Sequence, residues 1–268
     1  YFNGILFYIF LLVAAALFTF YSDNNPDSLG KIISAMLFLF SLGIMIWLRV
    51  SKPDDIWYNG RAVAESVKTR AWRWMLRAEP YEDSEDIEIM RRKFISDLKS
   101  ILEQNKSLIG KLGISAIIEE PISKVMLQVR NLTLDERLEV YRKERITNQA
   151  LWYTKKAKFN KKKSSQWFWV TVTLHVIAIF LLLYNIEKPS LRLPIETIAV
   201  AASGVLTWLQ AKKHNELSSS YSLTAHEIML IKSETNRINS ESELSEYIMN
   251  CENAFSREHT QWVARKNE

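Results

Sequence analysis

The chain has 268 residues, 48% hydrophobic and 24% charged, with a formal net charge of +5. Its apolar residues sit in uncharged blocks with the charges between them, which excludes an ordinary soluble domain, whose apolar residues recur at helical or strand period. The single cysteine, Cys251, excludes an intramolecular disulfide and fits a reducing compartment.

The first block, YFNGILFYIFLLVAAALFTFY (1–21), carries no charge and is long enough to span a bilayer as a helix. It lacks the basic leading region and small-residue cleavage site of a secretory signal. Because the chain starts at Tyr1 and not at methionine, an upstream segment is expected. The second block, IISAMLFLFSLGIMIWL (32–48), is short but sufficient for a thin bilayer or a snorkelling end. Pro53 then kinks the chain or opens a new helix, since proline is tolerated in a first turn.

Over 54–81 the spacing predicts a helix with Trp57, Arg61, Glu65, Lys68 and Trp72 on one face. Val63, Val67 and Trp74 form a stripe beside it. Arg61 to Glu65 and Glu65 to Lys68 have the spacing of helical ion pairs. Trp72 lies too far along a continuous helix for an interfacial belt, so these tryptophans are expected to pack on other helices. Segment 84–105, opening SEDIE, carries Ile87, Met90, Phe94, Leu98 and Ile101 at amphipathic spacing. Residues 106–133, with Gly110, Gly113 and Pro121, read as a loop with short helices.

From Leu134 a helical pattern resumes and leads toward the third block, WFWVTVTLHVIAIFLLLY (167–184). The fourth, PIETIAVAASGVLTWLQ (194–210), is the weakest, with Glu196 near its start and several small polar residues. Beyond it, Leu217, Tyr221, Thr224, Ile228 and Ile231 make one packing stripe. Leu244, Ile248, Cys251, Phe255, His259 and Trp262 make another. Arg49, Lys52, Lys158, Lys161, Lys162, Lys163, Lys212 and Lys213 mark one side of the blocks, which the positive-inside rule assigns to the cytoplasm together with both termini. The expected fold is all-α: a four-span membrane bundle with a long cytoplasmic helical stalk, assembling as a homo-oligomer. Two related two-span modules are expected, at 1–131 and 132–268.

Catalytic constellations, phosphate loops and metal-ligand spacings do not occur, so neither an enzyme nor a cofactor is expected. The lysine run KFNKKK serves topology and contact with anionic lipid, and nucleic acid is not an expected partner. The intramembrane polar residues are the informative ones, because such groups are costly in lipid and face a bundle interior or water. His175, with Thr171 near it, either hydrogen-bonds another helix or backbone, or lines a pore. Ala199, Ser203 and Thr207 recur every four residues, a stripe that suits close helix contact or a wet lumen. Glu196 is interfacial or belongs to a cation-attracting vestibule.

The stretch IWYNGRAVAESVKTRAWRWMLRAEPY, following a two-span hairpin, resembles the type-3 domain of the SLATT superfamily, the SMODS- and SLOG-associating two-transmembrane effectors. YRKERITNQALWYTKKAKFNKKKSSQWFW, followed by the third and fourth blocks, resembles the type-1 domain. In the motif RITNQALWY the residues are Gln149, Trp152 and Tyr153, which with the Trp57–Trp72 face are read as cytoplasmic helix-packing residues. The resemblance implies an effector of a bacterial anti-phage conflict system that perforates or depolarises the inner membrane. It further implies an upstream sensor or nucleotide-signalling domain, and it transfers no catalytic residue. The alternative is a non-conducting membrane scaffold that recruits a soluble partner through the cytoplasmic helices.

Overall fold

The computed structural model of the chain describes residues 2–24, 28–83, 86–106 and 120–266, with all side chains among them except at 54, 58, 236, 237 and 256–266. Every regular element among these residues is helical. In chain order they are α1 (Phe2–Asn24), α2 (Ser28–Ser51), α3 (Pro53–Met75), α4 (Ile87–Gln104), α5 (Lys124–Arg130) and α6 (Leu134–Tyr141). A π-helical stretch (Arg142–Thr147) leads into α7 (Asn148–Glu187), followed by α8 (Ile195–Lys212), α9 (His214–Ser233), a 3-10 turn (Glu234–Arg237) and α10 (Glu241–Lys266). Gly110 and Gly113, the opening Ser84 and Glu85, and the side chains of His259 and Trp262 lie outside the described residues.

The helix boundaries follow from local chemistry. Pro53 is the first residue of α3, where its missing N–H is one of the helix's unpaired donors in any case. Asp86 caps α4 by accepting from the Glu88 N–H at 2.8 Å, and Ser123 caps α5 by accepting from Met126 at 3.2 Å. Thr133 and Glu136 form a reciprocal capping box on α6. At the end of α3, Arg77 takes a left-handed φ of 56°. The Ala78 N–H then bonds the Arg73 carbonyl at 2.9 Å, closing a Schellman turn. Two arginines, Arg130 and Arg137, donate to the Trp74 and Leu76 carbonyls of this terminus.

The chain divides into two units, Tyr1–Asp54 with Lys158–Ser218, and Asp55–Ala157 with Ser219–Glu268. Each unit draws residues from both of the modules expected at 1–131 and 132–268.

In the first unit, helices meet through small residues. Ala15 is fully buried, and Ser34 donates to its carbonyl at 2.9 Å while sharing a hydrogen bond of 2.7 Å with Thr19 across the α1–α2 pair. A Cβ on Gly204 would stand 2.5 Å from Cγ2 of Ile9, so α8 approaches α1 as only glycine permits. Most large apolar side chains, such as Phe10 and Phe180, face outward, while Ile5, Leu11 and Trp208 are buried.

Among the described residues, Phe2–Asn24, Ser28–Met75 and Leu134–Glu187 are the helical runs long and apolar enough to cross a membrane. The expected fourth span, α8, does not reach that measure, because Glu196, Lys212 and its small polar residues dilute 18 residues. It nonetheless runs antiparallel along α1. At one end Arg192 donates to the Asp23 carbonyl. At the other, Trp208 packs edge-on against Phe2 with ring centroids 6.2 Å apart.

The second unit has its own core. Trp74, Tyr81, Phe94 and Ile122 pack together, with Met90, Leu98 and Met126 against them. A further buried set joins Tyr141, Ile146, Ile228, Leu244, Ile248, Cys251 and Phe255. Where exposed stripes on a helical stalk were expected, Tyr221, Thr224 and Ile228 of α9 and Leu244, Ile248, Cys251 and Phe255 of α10 are buried. The helical pattern expected from Leu134 does run through to Glu187, but it passes through the π-helical stretch. Within it the consecutive residues Arg145 and Ile146 are both buried.

Candidate functional site

Arg145, 1% exposed, is the centre of the second unit. Its guanidinium donates to both oxygens of Glu252, at 2.9 and 2.7 Å, and to Glu65 at 2.7 Å. It also lies 4.9 Å over the Phe255 ring. Glu252, itself fully buried, further accepts from Tyr141 at 2.9 Å and Thr69 at 2.8 Å. With its amide oxygen toward the cations, Gln149 accepts from Arg145 at 2.7 Å and Lys68 at 3.1 Å. Buried charges persist only when paired and hydrogen-bonded, and Arg145 and Lys68 here balance Glu65 and Glu252.

The titration behaviour follows the geometry. Burial alone would lower the Arg145 pKa, but the hydrogen bonds and charge of Glu252, and then Glu65, hold it above the ordinary guanidinium value. Burial, and then the neighbouring Arg145, pull Lys68 below the usual lysine range. Burial, then the Glu252 carboxylate, push the Tyr141 phenol well up. Burial first raises the Cys251 thiol to about 12, so it stays protonated and is no nucleophile at neutral pH.

Above this network lies a pocket of about 400 Å³, lined by Arg61, Glu65 and Lys68 from α3, Glu144 from the π-helical stretch, Asn148, Gln149, Trp152 and Tyr153 from α7, and Phe255 from α10. Seven residues singled out in the sequence, Phe255 among them, therefore share one cavity. Arg61 sits over the Trp152 ring at 5.5 Å, and Lys156 lies 5.6 Å from the same ring. Glu65, expected to pair along its own helix, gives its carboxylate to Arg145 from another. Trp57 is exposed and Trp72 packs edge-on against Tyr141 with centroids 5.5 Å apart, so neither lines the pocket. Arg145 and Glu252 were not singled out from the sequence. The clue available was Glu252 beside the buried stripe of α10, an acid where a helix turns inward.

Of the polar residues singled out in the apolar blocks of the first unit, His175, Glu196, Ser203 and Thr207 lie on outward faces and Thr171 is half-buried. His175 is exposed, and its Nδ1 pairs with the Thr171 carbonyl of its own helix at 2.8 Å. Thr171 itself donates to the Trp167 carbonyl at 3.0 Å. On α8, Glu196, Ala199, Ser203 and Thr207 are exposed along one face, whereas Thr197, Ala202, Gly204 and Trp208 are buried. Thr207 donates to the Ser203 carbonyl at 3.0 Å, which satisfies one hydroxyl inside the helix and leaves the stripe facing outward. Among the described residues no group of three or more His, Cys, Asp or Glu is placed to hold a metal.

Apolar helices of this length, with a second helical unit carrying a polar pocket, define a multi-pass helical membrane protein. The family model described as SMODS and SLOG-associating 2TM effector domain 3 matches residues 1–138, and that of SMODS and SLOG-associating 2TM effector domain 1 matches residues 141–262. The chain belongs to this SLATT family, whose domains are non-catalytic effector modules. No curated protein and no solved structure matches it.

Proposed function

We propose that this chain is the membrane effector of a bacterial nucleotide-sensing defence system and forms a regulated pore that depolarises the inner membrane. Family membership and the apolar helices support the coarse reading, a membrane-associated effector. The pore reading rests on one observation: the outward face of α8 presents Glu196, Ala199, Ser203 and Thr207, on a unit whose other outward side chains are mostly large and apolar. Polar groups facing lipid are costly, so this face is covered by another copy or by water. A ring of copies with α8 inward does both, and the exposed His175 and Thr173 of α7 add a second polar row.

Four spans are part of this proposal, with α8 crossing beside α1, both termini cytoplasmic, and the turns at 22–31 and 185–193 outside. The modules at 1–131 and 132–268 are two related two-span halves. The polar pocket is where the second unit receives an upstream signal. Gln149 and Trp152 stand on α7, the helix that also holds the third apolar block, so a change there is covalently continuous with a span. The same pocket supports the second reading, a non-conducting scaffold whose second unit recruits a soluble partner.

Membrane-potential recordings on cells expressing the protein with its genomic partners separate the two. Triggered depolarisation that is lost in Ser203→Leu with Thr207→Leu, at unchanged expression, supports the pore. Intact potential under a trigger that still halts growth favours the scaffold.

A further inference from the structure

Helices α7 and α9 lie side by side and antiparallel. In the first unit His214 pairs with Asn160 at 2.7 Å, and in the second Tyr221 packs on Tyr153 with ring centroids 5.8 Å apart. Each residue of α7 thus has a counterpart at its own level on α9: Leu151 with Leu223, and Lys158 with Glu216. Both helices keep an outward stripe. On α9 it runs through Glu216, Leu223, Glu227 and Leu230, one face of a helix by spacing. Leu223 is 59% and Leu230 71% exposed, Glu216 is exposed and Glu227 half-buried. Two leucines seven residues apart with acids beside them form a helix seam, unlike apolar residues scattered singly. On α7 the stripe runs through Leu151, 64% exposed, to the exposed Lys155 and Lys158.

The two stripes carry opposite charge. The α9 stripe is acidic, although Glu216 also meets Lys213 of its own turn in an exposed pair at 3.7 Å. The α7 stripe is basic, with one acid, Glu144, at its far end. A copy related to the first by rotation about the membrane normal keeps every level. Its α7 stripe then meets the α9 stripe of its neighbour with leucine against leucine and lysine against glutamate. Pairing a stripe with itself would set acid on acid or lysine on lysine, which opposes association. Unlike faces make a heterologous contact, which closes into a ring when the rotation closes. We propose that the α9 face of one copy docks on the α7 face of the next, so that the occupant of each surface is a second copy of this chain. This rests on the reading of copies side by side in one bilayer and needs no current, so it stands or falls apart from conduction.

The test is disulfide trapping between two full-length chains with different tags, one Leu151→Cys and the other Leu223→Cys, co-expressed and oxidised in their membranes. The native Cys251 is buried, and each variant expressed alone is the control. A disulfide carrying both tags should form, with little product from either variant alone. Lys158→Glu in the Leu151→Cys chain should lower its yield about five-fold, the scale of one exposed ion pair lost. Adding Glu216→Lys to the Leu223→Cys chain should restore it, which a misfolded variant would not do. A Leu223→Cys chain that links chiefly to itself makes the contact symmetric and overturns the proposal. So does the absence of the mixed product from two stably expressed chains, or a yield indifferent to Lys158→Glu.

Discussion

The two units bury opposite kinds of residue. In the first, most buried positions are small, Ala15, Gly30, Ser34 and Gly204 among them, with Ile5, Leu11, Trp208 and His214 as the larger exceptions, while Phe10 is 66% and Phe180 65% exposed. In the second, the largest buried side chains include Trp74, Tyr141 and three arginines, Arg130, Arg137 and Arg145. Lipid is as apolar as leucine, so helices inside it gain little from hiding large side chains and associate through close approach and hydroxyl contacts. In water the same chain gains from burying aromatic surface, and it can bury guanidiniums because helix-end carbonyls and carboxylates satisfy them.

This contrast predicts different failures. The largest effect is expected from Glu252→Leu, which leaves Arg145 largely uncompensated and deprives Tyr141 and Thr69 of their acceptor. Breaking a buried pair costs ~3–5 kcal/mol. Urea unfolding followed by tryptophan fluorescence should show it, and adding Arg145→Met should recover most of the loss.

In the first unit the comparable break is steric. Gly204→Leu forces a side chain into Ile9, where a Cβ alone would be 2.5 Å from Cγ2, and overpacking of that kind costs ~1–3 kcal/mol. Thermal unfolding in detergent should fall for Gly204→Leu and stay level for Gly43→Ala, whose Cβ meets nothing within 4 Å.

A smaller effect follows at the pocket wall. Trp152→Ala removes the ring under Arg61 and Lys156, worth ~0.5–1 kcal/mol at an exposed site. The stability change should be slight, while triggered depolarisation falls clearly.

The last effect, absent at neutral pH, is a pH dependence confined to the second unit. The Cys251 thiol is raised from 9.0 to about 12, first by burial. Between those values the unfolded chain loses a proton that the folded chain keeps, so stability falls as pH rises through that window. Cys251→Ala should flatten part of this alkaline slope in urea titrations from pH 9.0 up to about 12.

Legibility in the sequence followed the kind of interaction. Uncharged blocks and helical stripes are local signals, so α1, α2, α7, the start of α3 at Pro53 and the buried face of α10 through Phe255 could all be read. The face holding Arg61, Glu65 and Lys68 was readable as a unit, and so was Gln149–Trp152–Tyr153. Their meeting in one pocket was not, because it depends on residues some 80 positions apart, as in the Arg145–Glu65 bond. The π-helical stretch was also invisible, since no residue type in RKERIT marks a widened turn. The weak apolar character of α8 was visible in sequence, and Gly204 against Ile9 supplies its physical context: the helix is built for contact on one face and for polarity on the other.

The most direct test of the pore uses the chain's chemistry. Cys251 is the one cysteine and is buried, so a Ser203→Cys protein offers a single reachable thiol within α8. Reconstituted in planar bilayers under activating conditions, it should carry a current that a charged, membrane-impermeant thiol reagent blocks or scales in proportion to labelling at position 203. A stable current indifferent to complete labelling, or complete labelling of a protein that never conducts, would contradict a pore lined by this helix.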